Sequence, residues 1–114
     1  MSAITTHVLD TSRGRPAAGI PVTLEHLQPD LTWMQVGEGE TDQDGRLQTL
    51  MRSGAPLMPG IYRLVFQTRR YFDAAGVDAF YHSVSITFET APGEIHYHLP
   101  LLLSPFGYTT YRGS

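Results

Sequence analysis

Turn-forming residues divide this sequence into short apolar runs at intervals of about ten residues, which is the feature that most constrains its fold. Each run is shorter than a typical helix and has the length of a β-strand. Regular spacing of this kind is typical of a β-sandwich or a β-barrel. The predicted strands cover residues 4–9, 22–27, 32–37, 61–67, 81–89, 95–103 and 108–112.

Turns and one helix separate these strands. Turns are predicted at 13–16, 28–30 and 42–45, and the Asp44-Gly45 pair readily supplies the positive φ that a tight turn needs. The segment 68–75 is the one convincing helix, with Thr68 as its cap and Gly76 as its left-handed end. The sequence therefore predicts an all-β fold, a two-sheet sandwich of seven to eight strands with one short helix. Because chains of this length seldom divide, residues 1–114 are predicted to form a single domain.

Composition and charge limit the classes of function. Hydrophobic residues make up 41% of the chain and charged residues 17%, which is a globular composition. A net charge of −3 makes nucleic acid and anionic membrane surfaces poor partners. The chain has no cysteine, so it offers neither a disulfide framework nor a thiolate nucleophile. Neither a signal peptide nor a stretch of transmembrane length is present, which predicts a cytoplasmic protein.

Side-chain alternation in two of the strands predicts an outer face that is partly apolar. Successive strand residues point to opposite faces. One face is core-like and carries Ile4, Thr6 and Val8 in the first strand and Tyr97, Leu99 and Leu101 in the later one. The other face carries Thr5, His7 and Leu9, and then His96, His98, Pro100 and Leu102. Histidines among apolar residues on an outer face indicate contact with a ligand or another subunit, so we predict an oligomer with histidines near the interface.

The histidines and one arginine are the candidates for catalytic or metal-binding residues. Any one of the five histidines, taken alone, is most often structural or simply exposed. His96 and His98 project together, and with a third histidine they could form an open zinc site, although no nearby carboxylate reliably supplies a second shell. Arg46 follows the acidic turn, where the simplest reading is an exposed strand start. No serine lies in a Gly-x-Ser-x-Gly motif, so an acyl-serine mechanism has no support.

Four motifs occur along the chain in a recognisable order. They are Thr6-His7-Val8-Leu9-Asp10 with Arg13-Gly14-Arg15-Pro16-Ala17, then Asp44-Gly45-Arg46, then His96-Tyr97-His98-Leu99-Pro100-Leu101-Leu102-Leu103-Ser104-Pro105, and finally Tyr111-Arg112-Gly113-Ser114. In these motifs the chain resembles the transthyretin-like 5-hydroxyisourate hydrolases over essentially its whole length. Leu99 stands where valine is common, and Thr109 where serine is common, and neither change removes a polar group that the chemistry needs.

The resemblance implies an enzyme that uses no cofactor and no metal. Its small-molecule substrate would be 5-hydroxyisourate, the product of urate oxidation, whose six-membered ring opens to 2-oxo-4-hydroxy-4-carboxy-5-ureidoimidazoline. The resemblance also implies a homotetramer, a dimer of dimers, with its sites in a channel at the dimer–dimer interface. The matching catalytic positions are His7, Arg46 and His98, and His96 is not carried over. The matching substrate-binding positions are Tyr111, Arg112, Gly113 and Ser114.

The residue types suit this chemistry. Opening a cyclic amide-like bond needs a water deprotonated and a leaving nitrogen protonated, and histidines work near neutral pH. One of His7 and His98 would activate the water while the other orients it or passes the proton, and the sequence leaves open which. Arg46 could bind electron-rich substrate oxygens with its planar donors. Tyr111 would wall the pocket, and Ser114 could hydrogen-bond substrate or a histidine through its hydroxyl or a terminal carboxylate.

Three other functions are compatible with parts of this pattern. The first is a small-ligand carrier like transthyretin, although the vertebrate carriers have lysine, glutamate and threonine at positions 7, 46 and 98 and lack the terminal tetrapeptide. The second is a zinc-dependent hydrolase that uses His7, His96 and His98. The third is a noncatalytic β-sandwich interaction module.

Overall fold

The computed structural model describes residues 2–52 and 54–114, which form two β-sheets and one helix. In chain order the elements are β1 (Ile4–Asp10), β2 (Arg15–Pro16), β3 (Pro21–Leu27), β4 (Trp33–Glu40), β5 (Arg46–Leu47), β6 (Gly60–Phe66), α1 (Thr68–Ala74), β7 (Val84–Thr90), β8 (Tyr97–Ser104) and β9 (Gly107–Thr110). The first sheet has the order β2-β1-β8-β9, with β5 also paired to β1. The second has the order β4-β3-β6-β7. Strands β1 and β8 pair in parallel, and the other pairs are antiparallel.

The predicted sandwich is confirmed, and its seven longer strands correspond to the predicted ones. Their ends differ by a few residues: β4 continues to Glu40, β7 begins only at Val84, and β9 ends at Thr110. The two-residue strands β2 and β5 were not predicted as strands in their own right. Each pairs with β1, so its extended conformation depends on a distant partner and not on local sequence.

The structure confirms the predicted left-handed end of the helix at Gly76 and corrects the predicted cap at Thr68. Gly76 has a φ of 69°, as a left-handed helix end requires. Thr68 is not the cap: it is a buried first residue of α1, and Gln67 occupies the cap position without a side-chain cap bond. The chain leaves β6 at Phe66, and this exit decides where the first helical turn begins. Among the described residues, no helix has the length and apolar character needed to cross a membrane.

The core lies between the two sheets, and the predicted inward faces are confirmed. Ile4, Thr6 and Val8 of β1 are fully buried, and the inward residues of β8 are almost as inaccessible. Fully burying an aliphatic side chain of this size contributes about 1.5–3 kcal/mol relative to leaving it exposed. Phe72 of α1 joins the same buried cluster. Burial of these inward faces determines which residues of β1 and β8 point outward.

Asp10, the last residue of the first motif, has a structural role. Its buried carboxylate accepts hydrogen bonds from the Ser12 hydroxyl at 2.6 Å, the Tyr71 hydroxyl at 2.7 Å and the backbone of Ser12 and Arg13. Burial raises the pKa of Asp10, but these hydrogen bonds outweigh that effect and keep the pKa below its ordinary value. The ionised carboxylate therefore ties the turn after β1 to helix α1.

Candidate active site

Three strands of the first sheet bring the predicted catalytic residues to one face. On β1, His7 lies directly opposite Arg46 of β5 in antiparallel register. On the other side of β1, the parallel register with β8 sets His7 beside Pro100 and Thr5 beside His98. Directly paired residues present their side chains on the same side of a sheet. His7, Arg46 and His98, which are distant in sequence, therefore share one outer face.

The acidic turn before β5 delivers Arg46 to this face. The Asp42 carboxylate accepts hydrogen bonds from the backbone N–H groups of Asp44 at 2.9 Å and Arg46 at 3.0 Å. Gly45 has a φ of 74°, and a Cβ there would lie 2.3 Å from the carbonyl oxygen of Val8. Only glycine lets the turn approach β1 this closely. The Asp-Gly-Arg motif therefore holds the exposed Arg46 beside β1.

The imidazole of His98 is held along both edges. The Thr5 Oγ1 lies 2.8 Å from Nδ1, on the side of β1. On the opposite edge lies Gly113, where an added Cβ would come within 2.7 Å of His98 Cδ2. The Gly113 N–H also donates to the His98 carbonyl at 2.7 Å. With Nδ1 and Cδ2 both covered, the Nε2 end of the half-buried ring is the part left to act on a ligand.

The environment of His98 favours its neutral form. Burial lowers its pKa most, and the positive charges of His7, His96 and Arg46 lower it further. Each effect disfavours the imidazolium relative to the neutral ring. A neutral imidazole near physiological pH is the form that can accept a proton, so His98 has the properties of a general base.

The pKa of His98 is expected to lie below 6.5, its ordinary value, in the ligand-free protein. Replacing Arg46 by glutamine removes one repelling charge, so the pKa should rise, whereas Arg46→Lys keeps the charge and should leave it nearly unchanged. Histidine C–H resonances followed by NMR across pH 4 to 9 would measure both shifts. A wild-type midpoint above 6.5 would contradict the assignment of His98 as a ring held neutral.

The segment 111–114 continues past the end of β9 along β8. The bridge between His98 and Gly113 keeps the register that pairs Leu101 with Thr110. Continued through residue 111, that register sets position 111 opposite Pro100, and Tyr111 also lines a cavity together with Phe88 and Leu99. Tyr111 and Ser114 are exposed, and Gly113 is half-buried against the His98 ring. The structure therefore brings Gly113 against His98, whereas Tyr111 borders the cavity beside β7 and β8.

Arg112 is placed differently from its neighbours. Its guanidinium carbon lies 4.6 Å from the centroid of the Tyr97 ring, and its Nη2 lies 3.6 Å from a carboxylate oxygen of Glu94. Tyr97 belongs to the inward face of β8, so the Arg112 head group is not on the side of His98. Stacking of a guanidinium on an aromatic ring is favourable by about 0.5–1 kcal/mol at an exposed site. In this position Arg112 can anchor the segment.

Two further polar residues contact or adjoin His98: Thr5, which received no role from the sequence, and His96, which the sequence offered only as a possible zinc ligand. Thr5 is only 2% exposed, and its Oγ1 lies 2.8 Å from His98 Nδ1 and 3.3 Å from His96 Nε2. The alternation pattern had placed Thr5 and His96 on the outer faces of their strands. Their contact depends on the parallel register of β1 and β8, which no local pattern reveals.

The histidines do not form an arrangement suited to a metal ion. In residues 2–52 and 54–114, no group of three or more histidine, aspartate or glutamate side chains is placed to hold one. Both His96 and His98 direct a ring nitrogen at Thr5. The site therefore consists of two imidazoles that each contact the Thr5 hydroxyl, with Arg46 and His7 on the neighbouring strands.

Comparison with known proteins places this geometry in one family. The model of the HIUase/Transthyretin family matches residues 4–113. The chain is 45% identical over 115 residues to 5-hydroxyisourate hydrolase 2 of Rhizobium meliloti (97% of this chain, 95% of that one). It is 43% identical over 114 residues to 5-hydroxyisourate hydrolase of Mus musculus (99% and 96%).

Solved structures agree with these sequence matches. The 5-hydroxyisourate hydrolase of Klebsiella pneumoniae superposes with a TM-score of 0.85 at 38% identity, covering 100% of both chains. Transthyretin from Sparus aurata superposes with a TM-score of 0.90 at 31% identity, covering 99% of this chain and 97% of that one. This chain is a member of the HIUase/Transthyretin family.

Proposed function

We propose that this protein hydrolyses 5-hydroxyisourate to 2-oxo-4-hydroxy-4-carboxy-5-ureidoimidazoline in urate degradation, with water activated by histidine and without a covalent intermediate. The observation that carries the proposal is the convergence of His7, Arg46 and His98 on one face of three adjoining strands. Hydrolases that act on 5-hydroxyisourate are among the relatives at 43–45% identity over nearly the whole chain.

His98 is the proposed general base and His7 its partner. The water oxygen bonds to the ring carbonyl carbon while His98 Nε2 takes a proton from that water. When the tetrahedral intermediate collapses, the carbon–nitrogen bond breaks and the nitrogen receives a proton from His7. The support for this assignment is the covered Nδ1 of His98, together with the lowered pKa of that ring.

Arg46 and the segment 111–114 are proposed to bind the substrate. The Arg46 guanidinium stays charged and can stabilise the negative charge that develops on the carbonyl oxygen. Tyr111 would form one wall of the pocket, and Gly113 would let the segment lie against His98. Arg112 would contribute indirectly, through its contacts with Tyr97 and Glu94. Ser114, the next residue, could offer its hydroxyl to the substrate.

A homotetramer, formed as a dimer of dimers, is part of the proposal. Within the described residues, β7 and β9 each lie at the end of a sheet with one edge unpaired. A cavity of about 240 Å³ opens between them, lined largely by apolar atoms from residues that include Ile86, Phe88 and Leu99. Unpaired edges beside apolar surface favour strand pairing between copies. Light scattering should give about four times the chain mass of 12.7 kDa, and a monomer would contradict the assembly.

The activity can be tested directly with substrate generated in place. Urate oxidase converts urate to 5-hydroxyisourate, whose ultraviolet absorbance then decays spontaneously. The protein should accelerate that decay, and a decay rate equal to the spontaneous one would overturn the proposal. Activity that survives treatment with a chelator would eliminate a zinc hydrolase, whereas loss on chelation with recovery on adding zinc would support one.

A small-ligand carrier is the second candidate, because one of the similar solved structures is a transthyretin with thyroxine bound. Sea bream transthyretin in complex with thyroxine superposes with a TM-score of 0.89 at 33% identity, covering 97% of this chain and 94% of that one. Calorimetric titration with thyroxine distinguishes the two functions. Thyroxine binding without acceleration of 5-hydroxyisourate decay would indicate a carrier. If the protein neither binds thyroxine nor accelerates the decay, an interaction module would be indicated.

A further inference from the structure

The Thr5 hydroxyl lies between two imidazole rings in a place that water hardly reaches. Its oxygen is 2.8 Å from His98 Nδ1 and 3.3 Å from His96 Nε2, and the residue is 2% exposed. A hydroxyl has one proton to donate and lone pairs with which to accept. It can therefore donate to one ring only while it accepts from the other. The hydrogen-bonding roles of His96 and His98 toward Thr5 are therefore linked through this single group.

Two hydrogen-bond patterns satisfy the three groups. In the first, His98 Nδ1–H donates to the Thr5 oxygen, Thr5 O–H donates to His96 Nε2, and His98 Nε2 is free to act as a base. In the second, His96 Nε2–H donates to the Thr5 oxygen, Thr5 O–H donates to His98 Nδ1, and His98 Nε2 carries a proton. In the first pattern His98 Nε2 can accept a proton. The second pattern is the state of the three groups after His98 Nε2 has accepted a proton and another proton has left through His96.

We propose that Thr5 is a positioning residue that links His98 to His96, and that the proton taken up by His98 leaves the site along this link. The inference deepens the proposed hydrolysis and rests on it. After His98 Nε2 takes a proton from water, Nδ1–H passes its proton to the Thr5 oxygen. The Thr5 hydroxyl proton passes to His96 Nε2. His96 then releases its Nδ1 proton to water, so that one proton enters the chain of groups and one leaves it. The first pattern returns when the bridging protons shift back, with His96 Nδ1 taking a proton from water and His98 Nε2 giving its proton to His7, which lost one to the leaving nitrogen.

His96 has an outlet for that proton. It lines a cavity of about 530 Å³ that also borders Ala3, Pro56 and Glu94. The half-buried ring of His96 therefore connects the buried Thr5 hydroxyl with a space large enough for several waters. Water that enters a space of this size can carry a proton away from the reacting atoms.

The charges around His98 favour loss of a proton from its imidazolium toward Thr5. His7 lies near the ring on β1, Arg46 on β5 and His96 just before β8, while the segment 111–114 presents the uncharged backbone of Gly113. Burial lowers the pKa of His98 most, and the charges of His7, of His96 when that ring is protonated, and of Arg46 lower it further. An imidazolium formed there is disfavoured and tends to lose its proton, and the Nδ1 side offers Thr5 as the acceptor.

The first test measures the tautomers of His96 and His98 in the ligand-free protein. Thr5→Val removes the hydroxyl and keeps nearly the same shape, while Thr5→Ser keeps the hydroxyl. Two-bond ¹H–¹⁵N NMR spectra should show one dominant His98 tautomer in the wild type and in Thr5→Ser, and a changed tautomer population in Thr5→Val. Unchanged ring nitrogens for both histidines in Thr5→Val would overturn the coupling, whatever the substrate of the enzyme is.

The second test measures how variants at Thr5 and His96 change kcat and KM. Thr5→Val should lower kcat by about 10- to 100-fold with little change in KM, because Thr5 acts through His98 and should cost less than loss of the base itself, which is of order 10²–10⁴. Thr5→Ser should restore activity to within a few-fold. His96→Gln should lower kcat as well, and combining it with Thr5→Val should add little, because both interrupt one path. Thermal unfolding checks that each variant is folded.

The outcomes separate this inference from the function on which it rests. A wild-type protein without ring-opening activity would remove the proposed function, while the NMR spectra would still decide whether Thr5 couples the rings. An active enzyme in which His96→Gln retains full kcat and an unchanged solvent isotope effect would overturn the proton path. An active enzyme whose Thr5→Val variant is equally fast would overturn the role of Thr5 altogether.

Discussion

Replacing His98 by asparagine is expected to lower kcat for ring opening by about 10²–10⁴-fold, the usual contribution of a general base. The asparagine amide can still reach the Thr5 hydroxyl from near the position of Nδ1, so the local fold should survive. It offers nothing at the position of Nε2 that can accept a proton near neutral pH. The loss should therefore appear in kcat, with a smaller change in KM.

Decay of 5-hydroxyisourate generated by urate oxidase measures the effect of His98→Asn. His7→Asn and Arg46→Ala are each expected to slow the reaction by about an order of magnitude or more, through the partner histidine and the charge on the substrate oxygen. His82→Asn is the matched control, because His82 is exposed and lies before β7 in the other sheet. A folded His98→Asn enzyme within a few-fold of the wild-type rate would remove His98 from the chemistry.

Gly113→Ala is expected to have the second largest effect, a loss of about 10²-fold or more in kcat/KM. The added Cβ would lie 2.7 Å from His98 Cδ2, 3.1 Å from the His98 carbonyl oxygen and 3.3 Å from Pro100 Cδ. Because two of these atoms belong to backbone or to a proline ring, the segment 111–114 or the His98 ring must move. A misplacement of about 1 Å in a catalytic group can cost 10²-fold in rate.

Gly107→Ala is the matched control for this variant, since Gly107 lies in the same hairpin at the start of β9. A Cβ at that position meets Ser104 Oγ at 3.7 Å, an ordinary contact. Both variants should unfold near the wild-type temperature, because the inter-sheet core is untouched. Equal activity of Gly113→Ala and Gly107→Ala would show that close packing of residue 113 on His98 has no functional value.

Much of the fold was predictable because its signals are local. Period-two alternation identified the inward faces of β1 and β8, and the Asp44-Gly45 pair predicted a turn in which Gly45 has a positive φ. The Thr68 cap was wrong, since the residue that caps α1 depends on where the chain leaves β6. The short strand β5 was missed for a similar reason, because its partner is far away in sequence.

The candidate site divides in the same way between the sequence and the tertiary structure. By itself, the sequence determined the sandwich class, the inward and outward faces of β1 and β8, and the motifs that nominate His7, Arg46 and His98. Their catalytic roles stay predictions for the experiments above. Only the tertiary structure decided that Arg46 lies opposite His7, that Arg112 packs on Tyr97, and that Thr5 lies between His96 and His98. The physical reason is register: alternation tells which side of a strand a residue occupies, but pairing between distant strands decides which side chains meet.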